Sequence, residues 1–324
     1  MAFKDERRQR FISAAHYEQF RDQLALYIKV AHEKLALPEL SERAVNSFKW
    51  DVASYALETL ILDYTAGKSI EGLGANFPSI IDAFDVFISN EKIKPHVAAA
   101  LEITQLEAYV YVTWLLALAK LLGHADQIPR ILSWIDKNAE FNRGRDGLFE
   151  AVVQQLTGTN IPVERVLLHP DAYRPLAKAT VLPAEERPAM VAAFLESWYK
   201  QMKGCYWHGT HTDKAGDSSY FGYWAFEAAL VTVLWDIDDS SYRDHLVYPK
   251  DLVDFARSLA TPTQKPPTLG MNRCEANLPC PKSGYWQTPA QVNSRRYFEA
   301  GEVMPAFSGS TYGATIWYWD ENQG

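Results

Sequence analysis

Apolar residues recur at helical spacing from Phe11 to about Ala36, with Phe20, Leu24, Tyr27 and Ala31 on one stripe and charges opposite. An amphipathic helix is predicted there, stopped by Pro38. The next run places Trp50, Ser54, Leu57, Ile61 and Tyr64 on a single face, so a second helix follows. Ala66, Gly67 and Lys68 make a turn; Gly72, Gly74 and Pro78 interrupt the pattern, and Ile80, Ile81, Phe84, Phe87 and Ile88 restore the helical period. Pro95 precedes a long helix ending near Gly123, read as a helix-terminating glycine. Another helix is predicted from about Ile128 to Ala139.

The stretch NRGRDG, Asn142 to Gly147, is the first break in composition and is placed as a boundary between two helical domains. Beyond it Leu148 to Leu156 is helical in pattern, a section punctuated by Pro162, Pro170, Pro175 and Pro183 follows, and Arg187 to Met202 resumes the period. From Thr261 the chain becomes rich in Gly, Pro and aromatics, and Ala314 to Trp319 has β-propensity. The expected architecture is all-α: a two-part helical bundle, residues 1–141 and 142–260, with a small irregular or β appendage over 261–324.

The chain has 324 residues, 48% of them hydrophobic, which excludes disorder as the dominant state. Its net charge of −8 argues against direct binding to nucleic acid and suits a basic protein partner. Cys205, Cys274 and Cys280 are too few for a disulfide framework and fit a reducing compartment. MAFKDERRQR at the start lacks the apolar core of a signal peptide, so a cytoplasmic location is expected. The apolar run Ala108 to Ala119, bounded by Glu107 and Lys120, falls short of the ~20 residues of a membrane span and reads as a buried helix.

Candidate chemistry concentrates between Trp207 and Arg257. From Asp213 to Asp254 there are nine acids against three bases, Lys214, Arg243 and Lys250, which would form a strong electronegative patch if the acids shared a surface. His208, His211 and Asp213 form H-x-x-H-x-D, a set of divalent-metal ligand types without the helical i, i+4 spacing of a zincin. On a helix beginning near Gly222, Tyr223, Phe226, Leu230 and Leu234 mark a buried stripe, and Trp224 and Glu227 join the structural set. Glu227 needs a partner there, with Arg243 and His208 as candidates. Asp236, Asp238 and Asp239 stand at the end of that helix, where carboxylates oppose the macrodipole, so they are assigned to capping or to a partner. Cys274 and Cys280 lack further ligands at zinc-site spacing. No P-loop, GxGxxG, GxSxG or H-E-x-x-H motif occurs, and neither metal nor cofactor is expected.

Two blocks carry a resemblance. WDVASYALETLILDYTAGKSIEGL from Trp50, and YFGYWAFEAA with DIDDSSYRDHLVYPKDLVDFAR between Tyr220 and Arg257, resemble the paired domains of PoNi proteins. These are immunity partners of polymorphic nuclease effectors delivered between competing bacteria, type VI secretion among the routes. The resemblance spans roughly the first 260 residues; CPKSGYW and RRYFEAGEVMP in the tail are similar to C-terminal segments of other immunity-type proteins. It implies an all-helical cytoplasmic protein, not an enzyme, that blocks a toxin, expected to be a basic DNase. On this reading Asp213, Asp217, Tyr220, Asp236, Asp238, Asp239 and Tyr242 contact the toxin. Tyr223, Trp224, Glu227 and Arg243 hold the fold. The competing reading is a metal-dependent hydrolase using His208, His211 and Asp213.

Overall fold

Ser13 and Ser41 each turn a side-chain oxygen to a free backbone N–H three residues on, of His16 and Ala44, and so start the two longest helices of the chain's N-terminal part. The computed structural model describes residues 2–90, 101–159, 161–163, 167–213, 218–259, 273–288, 291, 293–307, 315–320 and 323. Among them the helices are α1 (Phe3–Glu6), α2 (Ala14–Leu35), α3 (Glu42–Thr65), α4 (Ile70–Asn90), α5 (Leu106–Leu121), α6 (Ile128–Asp136), α7 (Ala139–Asn142), α8 (Gly147–Thr157), α9 (Pro170–Val181), α10 (Arg187–Gln201), α11 (Phe226–Leu234) and α12 (Lys250–Leu259). Two compact units result, 1–259 and 260–324.

In the first unit α3 packs on both α2 and α4, α9 on α10, and α5 against α11 and α12. The apolar run Ala108 to Ala119 is buried along its whole length, so α5 is a central helix with no solvent face. It ends as the sequence indicates: Gly123 takes φ +83°, and the His124 N–H reaches back to the Ala119 carbonyl at 2.8 Å, a Schellman closure. Residues 91–100, which include Pro95, lie outside the described residues. One hydrophobic cluster runs from Ile12 to Val253, on both sides of the 142–147 stretch. That stretch is a packed corner. Asp146 is fully buried, caps α8 through the Phe149 N–H at 2.8 Å, and also accepts from the Tyr109 hydroxyl and the Leu168 N–H.

Two local expectations fail for identifiable reasons. Tyr27 lies off the buried stripe of α2: it is 39% exposed and packs instead on the Tyr55 ring at 5.4 Å. The break read at Gly72, Gly74 and Pro78 does not occur, because α4 begins at Ile70 and carries Pro78 within it. Proline removes the N–H that would bond the carbonyl four residues back, and that carbonyl, of Gly74, accepts from His124 Nε2 at 2.7 Å. A tertiary bond thus replaces the missing helical one. Replacing His124 with Ala should cost ~1–2 kcal/mol by leaving the Gly74 carbonyl unbonded, measurable by urea denaturation.

The second unit contains strands β1 (Arg273–Glu275), β2 (Gly284–Gln287), β3 (Arg296–Phe298) and β4 (Ile316–Trp319) in the antiparallel order β1-β4-β2-β3. Cys274, Cys280, Trp286, Phe298, Met304 and Trp317 form its core, and Lys282 and Arg296 lie over Trp319 and Phe298 rings at 3.7 and 4.1 Å. The body is therefore α-helical and the tail a small sheet. Both tail cysteines are buried free thiols in apolar surroundings.

Candidate functional site

The charged N-terminal residues are built into the first unit. Gln9 is 1% exposed, and all its side-chain valences are used. Its Nε2 donates to the carbonyls of Tyr223 and Leu246, and its Oε1 accepts from the Tyr220 hydroxyl and the Tyr223 N–H. Arg8 bonds Asp251 at 2.7 Å and the Tyr64 carbonyl at 2.7 Å, with its guanidinium 4.4 Å above the Tyr64 ring. Thr65, also buried, lies 2.7 Å from the Phe221 carbonyl and accepts from Trp224 Nε1 at 2.9 Å. Between these contacts Gly222 takes φ +130°, and a Cβ there would stand 2.1 Å from Thr65 Oγ1. Only glycine lets the segment approach α3 this closely. The helix expected near Gly222 begins at Phe226 instead, since residues 220–225 are irregular backbone bonded to Gln9 and Thr65.

Glu227 is 3% exposed at the start of α11, and its partners differ from those expected. Tyr173 Oη donates to it at 2.8 Å, Trp114 Nε1 at 3.3 Å and Trp198 Nε1 at 3.4 Å. Trp207 stacks between the two tryptophans at 5.6 and 5.4 Å. Neither Arg243 nor His208 reaches it: Arg243 pairs with Asp239 and Asp254, and His208 stacks on Tyr199 at 4.2 Å. Burial pushes the Glu227 carboxyl up to about 7, opposed by the hydrogen bonds from Tyr173, Trp198 and Trp114. Neutral donors hold the group; among the described residues no cation bonds it.

The acidic block does not form one open patch. Asp239 is 5% exposed and bonded by Arg243 and Arg257, each at 3.0 Å, and by the Tyr248 hydroxyl at 3.1 Å. Burial would raise its pKa, but Arg257, Tyr248 and Arg243 together hold it below the ordinary carboxylate value. Asp244 pairs with Lys250, Asp251 with Arg8 and Asp254 with Arg243. Tyr220 and Tyr242 are also buried, Tyr242 against the Thr232 hydroxyl at 2.9 Å, so these two and Asp239 are packed within the first unit rather than displayed on its surface. Asp213, Asp236 and Asp238 remain exposed, and Asp217 lies outside the described residues. Asp236 has a local role: at φ +48° it closes α11, with the Ile237 N–H on the Thr232 carbonyl at 2.9 Å. Next to this network Arg8, Tyr64, Trp224, Leu246 and Asp251 line a groove of about 380 Å³.

His211 Nδ1 lies 2.9 Å from the Tyr223 hydroxyl, and its ring packs on Phe11 at 5.0 Å. Both histidines of the H-x-x-H-x-D run are thus held by aromatic neighbours, while Asp213 is exposed. Among the described residues no group of three His, Cys, Asp or Glu side chains is placed to hold a metal ion.

Comparison with known proteins bears on both halves of this unit. The family model described as the PoNe immunity protein (PoNi), N-terminal, matches residues 9–134, and the corresponding C-terminal model matches residues 144–252. The crystal structure of protein PA2201 from Pseudomonas aeruginosa is similar with a TM-score of 0.57 at 18% identity, over 78% of this chain and 92% of that one, which shows a shared fold. No curated protein matches the chain. The N-terminal match opens at Gln9 and the C-terminal match contains the residues that Gln9 binds, so the two segments meet in one core; the chain belongs to the PoNi family of PoNe immunity proteins.

Proposed function

We propose that this chain binds and neutralises a cognate antibacterial toxin, a secreted nuclease effector, in the cytoplasm of the producing cell. The observation that carries the reading is the ordered match of both immunity-family segments over residues 9–134 and 144–252. The net charge of −8 fits a basic toxin surface, since a nuclease that grips phosphate is itself cationic. The protein acts by occlusion rather than by catalysis: His208 and His211 are engaged with Tyr199 and Tyr223, and Glu227 is sealed in the core. No helix among the described residues is long and apolar enough to cross a membrane.

The test is co-expression with a candidate PoNe-type toxin domain, followed by binding of the purified proteins. Protection of the cells and a stable complex are expected; a toxin that kills in the presence of the folded protein and shows no complex with it refutes the reading. Within the complex, Asp213 and Asp238 are the exposed acids proposed to steer association. Charge reversal at each, Asp213→Lys and Asp238→Lys, should slow association by roughly 2- to 10-fold at low salt and leave the circular dichroism spectrum unchanged. Stopped-flow rates at two ionic strengths check this, because the effect of a steering charge fades as salt screens it.

A further inference from the structure

The groove beside the Asp239 network is opposite in charge to the protein that carries it. Arg7, Arg8, Arg243 and Lys250 line it against three carboxylates, Glu6, Asp244 and Asp251, in a chain whose net charge is −8. His245 also lines it, and burial holds that imidazole below the ordinary histidine value, so it adds no charge at neutral pH. Tyr64, Trp224 and Tyr248, all buried, supply the aromatic part of the lining. Its volume of about 380 Å³ is that of a ligand pocket, and its apolar base strengthens any ion pair made there.

The four cations are not equally engaged. Lys250 bonds Asp244 and Arg8 bonds Asp251, each at 2.7 Å, while the partners of Arg243 are Asp239 and Asp254, which do not line the groove. Arg7 has no carboxylate: its Nη1 donates to the Ile12 carbonyl, and among the described residues no acid lies within ion-pair distance of it. Its Nε and Nη2 have no protein acceptor among those residues. Arg8 uses Nε on Asp251 and Nη1 on the carbonyls of Tyr64 and Lys68, so among the described residues its Nη2 has no acceptor either. Two consecutive, half-buried arginines thus bring unused N–H donors to one groove.

We propose that this groove is an anion site, in which Arg7 and the Nη2 group of Arg8 hold a carboxylate or phosphate group that enters from solvent. The planar fork of Arg7 suits either group, since both present two oxygens to paired N–H donors. Lys250, 44% exposed, adds a further positive charge to the lining. The inference stands on the groove and not on the immunity reading; where both hold, the anion is an acidic side chain of the toxin. A contact of this sign has its own use. Exposed acids such as Asp213 and Asp238 attract any cationic protein, whereas a cationic groove on an acidic protein selects a partner that carries an acid at the matching place.

The probes are inorganic phosphate and glutarate, titrated calorimetrically into the full-length chain at pH 7 and fixed ionic strength, so that general screening is constant. Wild type should bind both saturably at one site. Arg7→Ala should weaken binding roughly 10-fold or more, and Arg7→Lys, which keeps the charge but not the fork, should fall between the two. Arg10→Ala is the control: Arg10 is exposed, lies over the Phe11 ring at 5.3 Å and is not part of the lining, so its loss should leave affinity unchanged. Circular dichroism melts establish that each variant is folded. Wild type that binds neither probe saturably, or folded Arg7→Ala and Arg7→Lys proteins that bind as wild type does, overturns the proposal. A second titration, with an inactivated PoNe-type toxin domain, separates the sources of the anion. Weakening of the toxin complex by saturating phosphate and by Arg7→Ala identifies a toxin carboxylate; a toxin affinity unchanged by both identifies a free small anion. A toxin domain that does not bind wild type at all counts against the immunity reading and leaves the phosphate and glutarate result standing.

Discussion

Glu227→Ala is expected to unfold at a temperature roughly 10 °C below wild type, equivalent to ~3–5 kcal/mol. Two losses combine. The side chain leaves a void between Trp114, Trp198 and Tyr173, where packing has no slack. Three donors then lose their acceptor inside the core, each costing ~1–3 kcal/mol before relaxation. Part of this is offset, because the removed carboxyl was itself expensive to bury. Glu227→Gln retains an acceptor for Tyr173 and should lose far less. Thermal melts of the three proteins at one pH rank them; an alanine variant as stable as wild type would falsify the account.

The pH dependence carries a sign that separates Glu227 from an ion-paired acid. Its folded pKa of about 7 lies above the ordinary glutamate value of 4.5, so the native state holds more protons than the unfolded state between those limits. Stability therefore falls as pH rises from 4.5 towards 7 and levels off above it, and Glu58 acts in the same direction. Each group should contribute ~1 kcal/mol of loss between pH 6 and pH 8. In Glu227→Gln the contribution of this group should vanish, so the variant should lose ~1 kcal/mol less than wild type between pH 6 and pH 8.

Why Glu227 was legible and its partners were not is a matter of range. An acid between Phe226 and Leu230 on an apolar helix must be buried, and periodicity says so. Its donors arrive from Tyr173, Trp198 and Trp114, which are 54, 29 and 113 residues away, and aromatic N–H and O–H groups leave no charge pattern in a sequence. The helices were readable for the same local reason: the α3 stripe and the Gly123 stop need only nearby residues. Pro78 misled because its compensation, His124, lies on the far side of α5's end. Counting acids from Asp213 to Asp254 overstated the patch, since a one-dimensional charge sum cannot see that Arg8, 243 residues from Asp251, neutralises it. Glu58 had a weak signal of its own. It follows Leu57 and sits between Ser54 and Ile61 on the buried face of α3, a place where an acid needs a reason.

Asp238 and Asp239 are adjacent, alike in chemistry and joined in one acidic run, yet their replacement should give opposite results. Asp239→Ala removes the shared acceptor of Arg243, Arg257 and Tyr248, two half-buried cations and a buried hydroxyl. Leaving Arg257 without its carboxylate is the larger part, because Arg243 keeps Asp254 while Arg257 keeps only the Ile237 carbonyl. Breaking a buried pair from one side costs ~3–5 kcal/mol, and the partial exposure of both arginines places the expected loss at the lower end, about 3 kcal/mol. Asp238 is exposed and bonds only the N–H and hydroxyl of Ser240, so Asp238→Ala should stay within ~1 kcal/mol. The acid response of Asp239 also runs opposite to that of Glu227: its folded pKa is lowered, so its stabilisation is present above the unfolded value of 3.8 and is lost as pH falls through the lowered one. Urea midpoints of the two variants at neutral pH and near pH 3 test both statements. Equal midpoints at neutral pH would mean that the arginines find other partners. Any loss of toxin protection in Asp239→Ala would then be a contact effect after all, rather than the consequence of a smaller folded population.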